Sequence, residues 1–393
     1  MRNTKMLAAT CAVFAAIGWP TESSVAQTTL ADHGANPVSL WSERGAATIL
    51  QKPNPTGTEQ ERRPIVFLDM ATLHRAIDAA VSQAPAESQA AAAHAAAYTV
   101  LKTLYPQRAQ HYEEAYSTAM SALHDGPAVA RGESLGSAEA GKLLARRAGD
   151  GRWADVPPAE PGTAPGAFRG IKPINQTVPR IRPFALATAA QFRGPPPPAL
   201  DGDQWARDLA ETRARGGAAS PASEREIEDA RFHTEPPPPY WTRNLVRFAR
   251  SQDSLAANAR LMAVLWVTQA DATIACFEAK YHYYRWRPAT VIAQADKAWK
   301  PRLRTPNHPE YPAAHSCATA ALAESLALFF GTRELAFAFD SKATGTTHHW
   351  ASVDDMVTEV REARIVGGMH FRAATDAGEK LGIEVARWVV GRL

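Results

Sequence analysis

Residues 311–330 read YPAAHSCATAALAESLALFF, a proline followed by a long run rich in alanine and leucine. Alanine is the strongest helix former and the apolar residues recur at helical spacing, so this stretch predicts a buried helix. Its start lacks the Ser, Thr, Asp or Asn side chain that usually accepts hydrogen bonds from the first backbone N–H groups. Two interpretations follow: a core helix with an incidental His315, or a helix end whose N–H groups bind an anion.

The same spacing recurs along most of the chain. It predicts helices in residues 69–83, 87–105, 107–123, 135–147, 253–284, 312–330 and 352–392. No two alternating apolar and polar runs flank an Asn-Gly or Asp-Gly turn, so we expect no hairpin. The fold class is therefore predicted to be all-α, built from helical bundles.

Prolines interrupt this pattern in the middle of the chain. The runs PPAEPGTAPG (157–166), GPPPPAL (194–200) and EPPPPYW (235–241) are expected to break helices and to favour extended backbone. Residues 150–203 are therefore predicted to be irregular and to wrap the helical body through aromatic anchors, namely Trp153, Phe168, Phe184 and Phe192.

Length and composition limit the class of protein. The 393 residues, 45% hydrophobic and 21% charged, suffice for one large domain or two ordinary ones. The net charge of +3, without basic runs interleaved with aromatic residues, disfavours nucleic acid as a partner. We expect a single helical domain over residues 27–393, with its catalytic core at about 253–393. The oligomeric state cannot be inferred from this pattern.

The first 26 residues have the organisation of a secretory signal peptide. MRNTK is basic, MLAATCAVFAAIGW is apolar, and the small residues Ser24 and Ala26 suit cleavage after Ala26. The apolar stretch is short for a membrane span, and polar and charged residues interrupt the later apolar segment 255–277. We therefore expect the mature protein to be exported, either periplasmic or secreted, without a membrane span.

Two cysteines lie beyond the predicted leader, Cys276 and Cys317. An oxidising compartment would permit a disulfide between them, and two buried thiols are an equal alternative. Their spacing fits no zinc pattern, and the chain has no His-Glu-x-x-His motif, so a zinc enzyme is disfavoured. Histidines are nevertheless frequent in this half of the chain, at His282, His308, His315, His348, His349 and His370.

KYHYYRWRP, residues 280–288, is the first of three short motifs that combine basic residues with histidine. Lys280 and Arg287 are seven residues apart, which is two helical turns, so both cations are expected on one face of a helix. Pro288 should end that helix and leave Arg287 in its last turn. Cations at a helix C-terminus are favourable in themselves, so this motif alone does not indicate a function.

The other two motifs each contain a histidine of interest. In YPAAHS, Pro312 suits the first helical position, so the N–H groups of the three residues after it should point out of the helix end. In EARIVGGMHFRAATD, residues 362–376, Arg364 lies six residues before His370 with two glycines between them. Paired glycines are unfavourable inside a helix unless backbone or ligand must approach closely, although helix–helix contact would explain them equally.

In their order and spacing the three motifs resemble the signature of the type 2 phosphatidic acid phosphatase and vanadium haloperoxidase superfamily. That signature reads Lys-x6-Arg-Pro, Pro-Ser-Gly-His and Ser-Arg-x5-His-x3-Asp, and the likeness directly covers residues 280–376. The alanine-rich early helices look like the secreted bacterial haloperoxidase-like branch. The resemblance implies an all-helical fold and one anion site that suits either vanadate or a phosphoryl group.

The resemblance also implies which residues bind the anion. Lys280, Arg287 and Arg364 would supply cationic hydrogen-bond donors to the oxygens, together with the backbone N–H of Ala314. His370 would be the single protein ligand to vanadium in a haloperoxidase, or the nucleophile that forms a phosphohistidine in a phosphatase.

Two further histidines receive roles from the same likeness. His315 would be the general acid–base, protonating a leaving group or deprotonating peroxide. His308, seven residues earlier, would lie near the halide, as in the algal bromoperoxidases. A plain loop histidine is nearly as good an explanation of His308.

The chain departs from the family pattern at several positions. Ala313 and Ala314 replace Ser-Gly, and Ala363 replaces the serine before the arginine. Loss of a serine hydroxyl removes one donor, worth ~1–3 kcal/mol for a charged acceptor. Ala314 is tolerated if its position is helical and strained if it is left-handed. Ala374 replaces the aspartate expected four residues after His370, which leaves open what orients that ring.

Three functions are compatible with this pattern. The first, favoured by His308 and by the exported all-helical body, is a vanadate-dependent haloperoxidase that oxidises a halide, with bromide favoured, by means of hydrogen peroxide. The second is a metal-independent acid phosphatase acting on phosphate esters. The third is a weakly active or non-catalytic anion-binding relative, which the loss of Ser and Gly would explain.

Overall fold

The computed structural model describes residues 36–51, 56, 65–124 and 126–393. The predicted signal peptide, residues 1–26, lies outside them. Thirteen α-helices and one pair of short strands occur in the described residues, which confirms the predicted all-α fold class. In chain order they are α1 (Pro37–Ile49), α2 (Val66–Gln83), α3 (Gln89–Leu104), α4 (Ala109–Ser121), α5 (Pro127–Arg147), α6 (Asp203–Arg215), α7 (Glu224–Phe232), α8 (Pro237–Leu245), α9 (Leu255–Tyr283), α10 (Pro288–Ala295), α11 (Ala314–Phe330), β1 (Phe337–Ser341), β2 (Thr346–Trp350), α12 (Val353–Val366) and α13 (Arg372–Val390).

Helix α9 joins two groups of helices. It contacts α2 of an N-terminal bundle (α1–α5) and α11 and α13 of a C-terminal bundle (α11–α13). Within the described residues, α9 alone has the length and hydropathy to cross a membrane, but 89% of its apolar window is buried inside the protein. A helix that is apolar all round and buried in this way is the core helix of a globular protein.

The described chain between α5 and α6 contains no α-helix and a short 3₁₀ turn at Val178–Arg180. Asp271 of α9 holds this segment in place. Its carboxylate accepts hydrogen bonds from the backbone N–H groups of Phe184, Ala185 and Leu186, at 2.6, 2.8 and 3.0 Å. The irregular segment therefore follows the surface of the helical core.

The expectation that the chain has no hairpin is wrong. β1 and β2 pair in antiparallel fashion, with Phe337 opposite Trp350. Phe337 and Phe339 alternate along β1 and are both buried. In the connecting turn Gly345 adopts a left-handed backbone with φ of 75°. The turn spans residues 342–345 and contains neither Asn-Gly nor Asp-Gly, so it lacks the signal that identifies two-residue hairpins.

Two helical segments also differ from expectation. EPPPPYW, expected to be extended, forms the start of α8, because the first N–H groups of a helix have no intrahelical acceptor and proline there loses no bond. The segment predicted to be helical over 352–392 is two helices, since Gly368 adopts a left-handed backbone (φ 70°) just after α12. Helices α1, α6, α7 and α10 lie outside the predicted segments.

Candidate active site

The first motif is not continuous helix. Helix α9 ends at Tyr283, and Tyr284 has a left-handed backbone (φ 48°). Arg287 takes an extended conformation, as the residue before a proline usually does, and precedes the first turn of α10. The expectation that Arg287 lies in the last turn, on one helical face with Lys280, is therefore wrong. The chain reversal nevertheless buries both cations, Lys280 at 0% and Arg287 at 1% exposure.

Both cations hold the loop that precedes α11. Lys280 Nζ donates hydrogen bonds to the carbonyl oxygens of Pro309 and Glu310, at 2.9 and 3.0 Å. Arg287 Nε donates to the carbonyl oxygen of His308, and its Nη1 to that of Met369, both at 2.9 Å. The two side chains therefore tie the second and third motifs to the end of α9.

His370 lies between a carboxylate and a guanidinium. Its Nδ1 is 3.0 Å from Glu310 Oε1, and its Nε2 is 2.9 Å from Arg287 Nη1. A guanidinium can only donate, so Nε2 must accept and the proton must sit on Nδ1, where it is donated to the carboxylate. Burial, together with the charge of Arg287, lowers the pKa of His370 well below its ordinary value of 6.5. The ring is thus neutral, with its Nε2 lone pair directed at a cation.

Glu310 is a site residue that the sequence analysis does not identify. It is 1% exposed, and the same Oε1 atom also accepts the backbone N–H of Phe371 at 3.0 Å. Burial raises the pKa of Glu310 to about 7, against the opposing effects of the Phe371 hydrogen bond and the nearby cations. Glu310 therefore provides the carboxylate support for His370 that the alanine at position 374 cannot. Because it comes from a loop 60 residues away, no local spacing could reveal it.

Arg364 reaches the site from the last turn of α12. It is 1% exposed, and its Nη2 donates one long hydrogen bond, 3.3 Å, to the carbonyl oxygen of Ala230. Its Nε is buried without a hydrogen-bond partner among the described residues. Burial, with a smaller contribution from the charge of Arg287, lowers the pKa of Arg364 to about 9. A buried guanidinium with so few acceptors favours a bound anion.

Helix α11 begins two residues later than expected. Pro312, joined to Tyr311 by a cis peptide bond, lies before the helix, and Ala313 is extended. The N–H of Ala313 donates to the carbonyl oxygen of Ala374 at 2.8 Å, so it does not point out of the helix end. Among the described residues, no side chain caps α11 and no backbone carbonyl accepts from its first three N–H groups, those of Ala314, His315 and Ser316.

The remaining predicted histidines line the same region. His315 is partly buried in the first turn of α11, and burial with the charge of Arg364 lowers its pKa well below 6.5. His308 is almost fully buried, and its Nδ1 is 3.1 Å from Arg287 Nη2. Burial and the charge of Lys280 lower the pKa of His308 likewise. Both rings are therefore neutral.

The pairing of the two cysteines, which the sequence leaves open, is present. Cys276 of α9 and Cys317 of α11 form a disulfide with their Cα atoms 6.4 Å apart. The bond joins the helix that carries Lys280 to the helix that begins beside His315. It therefore fixes two of the segments that supply the site.

The predicted positions thus meet in one place. Hydrogen bonds connect Lys280, Arg287, His308 and His370 through the 308–310 loop. Arg364, His315 and Ala314 approach from the ends of α12 and α11, and the charge of Arg287 contributes to the pKa shifts of Arg364 and His315. The catalytic and binding roles assigned to these residues remain predictions.

Comparison with known proteins agrees with the motifs. Residues 260–393 match the family model of the VCPO second helical-bundle domain. This segment contains the three motifs, and the match supports the resemblance of this part of the chain to the vanadium haloperoxidase and type 2 phosphatidic acid phosphatase superfamily. No curated protein matches the chain at a significant level.

Solved structures of vanadium haloperoxidases share the fold over nearly the whole chain. The first bacterial vanadium-dependent iodoperoxidase superposes with a TM-score of 0.74 at 23% identity, covering 91% of this chain and 97% of that chain. An apo-type bacterial vanadium-dependent chloroperoxidase gives 0.66 at 14% identity, covering 88% and 96%. A holo-type one gives 0.61 at 14% identity, covering 95% of each. At these identities the similarity shows the fold.

The residues of the candidate site fit an oxyanion such as vanadate. Three buried basic side chains, those of Lys280, Arg287 and Arg364, lie in the site with one buried carboxylate, that of Glu310, so basic groups outnumber acidic ones. The unpartnered Arg364 Nε and the open start of α11 are further donors without acceptors. Ala314 is helical, so its replacement of glycine causes no left-handed strain and keeps the N–H. At Ala313–Ala314, therefore, only the serine hydroxyl of the family pattern is lost.

Proposed function

We propose that this protein is a vanadate-dependent haloperoxidase that oxidises a halide with hydrogen peroxide. The observation that carries the proposal is the state of His370: its Nε2 lone pair faces a buried group of cations, while Glu310 fixes Nδ1. A neutral imidazole held in this way is a competent metal ligand, and a carboxylate behind it raises its basicity. The haloperoxidase-like fold supports the same conclusion.

The residues of the candidate site would have separate roles. Lys280, Arg287 and Arg364 would hold vanadate through charge-assisted hydrogen bonds, with His370 Nε2 as the protein ligand. Bound vanadate would supply a Lewis-acidic centre that activates hydrogen peroxide for transfer of oxygen to a halide. His315, being neutral, can accept a proton from hydrogen peroxide.

His308 is the residue proposed to contact the halide. It is held against Arg287 at 3.1 Å, so any anion beside it lies close to two fixed cations, Arg287 and Lys280. The ring also lies near Phe277, with the ring centroids 5.2 Å apart. An apolar neighbour suits a large, weakly hydrated halide, which favours bromide over chloride.

A paired assay of one preparation tests the proposal. Bromination with hydrogen peroxide is measured with and without added orthovanadate, beside hydrolysis of a phosphomonoester. We expect bromination that depends on vanadate and is abolished in His370→Ala. His282→Ala, which changes an exposed histidine at the end of α9, is the matched control and should keep full activity.

The other outcomes are equally informative. Full bromination by His370→Ala would disprove the role of His370. Phosphomonoester hydrolysis without bromination, inhibited by vanadate, would assign the pocket to phosphoryl transfer and the protein to the acid phosphatases. If both assays are negative and phosphate still raises the melting temperature, the protein is an anion-binding relative.

A further inference from the structure

A second group of histidine and carboxylate side chains lies behind Arg364, outside the candidate active site. His233 follows α7, His348 is in β2 and Glu359 is in α12. Glu359 Oε1 is 2.9 Å from His233 Nε2 and 2.7 Å from His348 Nδ1. One donor atom from each of the three residues lies within 4.8 Å of the others. Three separate elements thus direct their donor atoms to one point.

The surrounding residues fix these side chains. His233 and His348 are 6% and 4% exposed. Phe232 stacks on the ring of His348, with centroids 3.7 Å apart and planes 16° from parallel. Trp350 Nε1 donates a hydrogen bond of 3.0 Å to Glu359 Oε2. The other oxygen, Oε1, is therefore the one turned towards the two imidazoles.

The second nitrogen of His348 also has a specific partner. Its Nε2 is 2.6 Å from Glu228 Oε2, on the side away from Glu359. Metal-binding histidines almost always donate their other ring N–H to a carboxylate or carbonyl, which fixes the tautomer and raises ligand basicity. Glu228 is such a carboxylate for His348, because it accepts the hydrogen bond from the ring nitrogen that does not face Glu359.

The charges around the cluster are unbalanced. Three carboxylates contact it, those of Glu228, Asp229 and Glu359, whereas one guanidinium, that of Arg225, pairs with Asp229 and Glu359 at 2.7 and 3.3 Å. The excess of negative charge suits a divalent cation.

We propose that His233, His348 and Glu359 form a binding site for a divalent transition-metal ion such as Zn²⁺. Two imidazoles and a carboxylate are a ligand set that zinc uses in proteins. Ligand atoms ~2.1 Å from a tetrahedral ion lie roughly 3.4 Å apart, so the side chains must separate by about half an ångström. The ion takes the place of the hydrogen on His233 Nε2, where the ring shifts to its Nδ1–H tautomer, and of the proton on His348 Nδ1, which leaves to solvent while the Nε2–H stays with Glu228.

A metal ion at this site would have a structural role and would stabilise the neighbouring anion pocket. An ion there would join the end of α7 to α12. Arg364 lies on α12 and donates its one hydrogen bond to Ala230 of α7. Metal binding would therefore hold the two elements that position Arg364, without the ion touching a substrate.

Metal binding to the full chain, freed of metal with a chelator, tests the proposal. Calorimetric titration with Zn²⁺ should give one ion per chain and a raised melting temperature. Co²⁺ should produce the visible absorption bands of a tetrahedral nitrogen- and oxygen-ligated ion. Glu359→Gln keeps the shape and a hydrogen-bond acceptor but loses the charge, so affinity should fall by about 10-fold or more. Glu362→Gln, on the same helix and paired with Arg215 and Arg372, should bind as wild type does.

Two further variants separate this site from the alternatives. Glu228→Gln leaves all three ligands in place and should weaken Zn²⁺ binding by about 10-fold. If Glu359→Gln does not fold, the Zn²⁺ affinity of Glu228→Gln still tests whether the cluster binds the ion. His370→Ala should retain one ion per chain, and loss of binding there would place the ion in the candidate active site and disprove the proposal. Absence of Zn²⁺ binding by wild type, or wild-type affinity in both Glu359→Gln and Glu228→Gln, would mean that the cluster is a hydrogen-bonded network only.

Discussion

In the N-terminal bundle, α5 lies against α3 through Gly132 and Gly136, and in the C-terminal bundle α13 lies against α11 through Gly378 and Gly382. Each pair has the same four-residue spacing, and each faces a helix rich in alanine. A Cβ at Gly136 would lie 2.9 Å from that of Ala95, and one at Gly378 would lie 2.6 Å from the carbonyl oxygen of Ala313. In both bundles, therefore, two glycines four residues apart allow one helix to pack closely against another.

What the two bundles bury is different. Among the described residues, no charged side chain forms a hydrogen bond with His74 or His94 of the N-terminal bundle, and burial lowers their pKa values to about 3 and 4. Each forms one hydrogen bond with a neutral partner in the described part of the chain, with Ser42 Oγ at 3.2 Å for His74 and with Trp41 Nε1 at 2.9 Å for His94. The histidines near the C-terminal bundle instead face Lys280, Arg287 and Arg364. The candidate chemistry thus comes from buried cations beside neutral imidazoles, and helix packing alone does not create it.

The disulfide is the largest difference between the bundles that can be removed, because it joins α11 of the C-terminal bundle to α9, whereas no cysteine lies in α1–α5. It closes a loop of 41 residues. We expect the double variant Cys276→Ala/Cys317→Ala to lose ~2–4 kcal/mol of unfolding free energy. Denaturant titration measures the loss, and hydrogen exchange should locate it in α11 rather than α3.

Wild type in the presence of a reductant is the natural control for that variant and should show the same loss. Equal unfolding free energies for the oxidised protein and the double variant would show that the bond does not stabilise the bundle. Equal loss of protection in α3 and α11 would show that the two bundles unfold as one unit.

Alanine substitutions at the glycines test whether the close helix contact affects stability and anion binding in the same way in both bundles. Gly136→Ala and Gly378→Ala should each cost about 1–3 kcal/mol of unfolding free energy, because the added methyl group meets backbone or Cβ atoms that cannot move freely. Only Gly378→Ala should also weaken phosphate or vanadate binding, since it displaces Ala313 at the start of α11.

Gly141→Ala is the matched control for these substitutions. It lies in α5 and nothing approaches its Cβ position within 4 Å, so alanine there should raise stability by ~0.5–1 kcal/mol through helix propensity. Weaker anion binding in Gly136→Ala to the same degree as in Gly378→Ala would mean that the N-terminal bundle also shapes the site.

Glu310→Gln removes the charged support of His370, a feature that His74 and His94 lack. We expect anion affinity or activity to fall by about 10- to 100-fold, as for other carboxylates behind a ligating histidine. Glu324→Gln is the control: it is equally buried and pairs with Arg333 and Arg387 away from the site, so it should lower stability and leave affinity unchanged. Unchanged affinity in Glu310→Gln would remove Glu310 from the site.

Local pattern in the sequence predicts the helices with strong apolar periodicity. Helices α2, α3, α9 and α11 begin and end within three residues of the predicted bounds. In α8, the prolines lie in the first turn, where they do not break a helix. In β1–β2, the turn is a four-residue loop with a left-handed glycine, and it lacks the Asn-Gly or Asp-Gly pair of two-residue hairpins. Both predictions were wrong for the same reason. The effect of a proline or a glycine depends on its position within the helix or turn, and the residue type alone does not give that position.

The candidate site was predictable only where its residues fall into motifs. Glu310 supports His370 across 60 residues, and Glu359 meets His233 across 126. Such contacts depend on how α7, α12 and the loop before α11 pack together, which periodicity does not encode. The family pattern points instead to position 374, where alanine stands and where the backbone carbonyl binds Ala313.

The smallest expected effect concerns the neutral histidines of the N-terminal bundle. His94 has a folded-state pKa of about 4, against about 6.5 in an unfolded chain, so the unfolded state binds more protons between these pH values. Stability is therefore lost as the pH falls from about 6.5 towards 4. His94→Gln keeps an acceptor for Trp41 and cannot titrate, so unfolding free energy should fall less steeply, by up to ~1 kcal/mol per pH unit. His282→Gln, at an exposed site, should follow the wild-type curve, and parallel curves for His94→Gln and wild type would show that His94 is not held neutral.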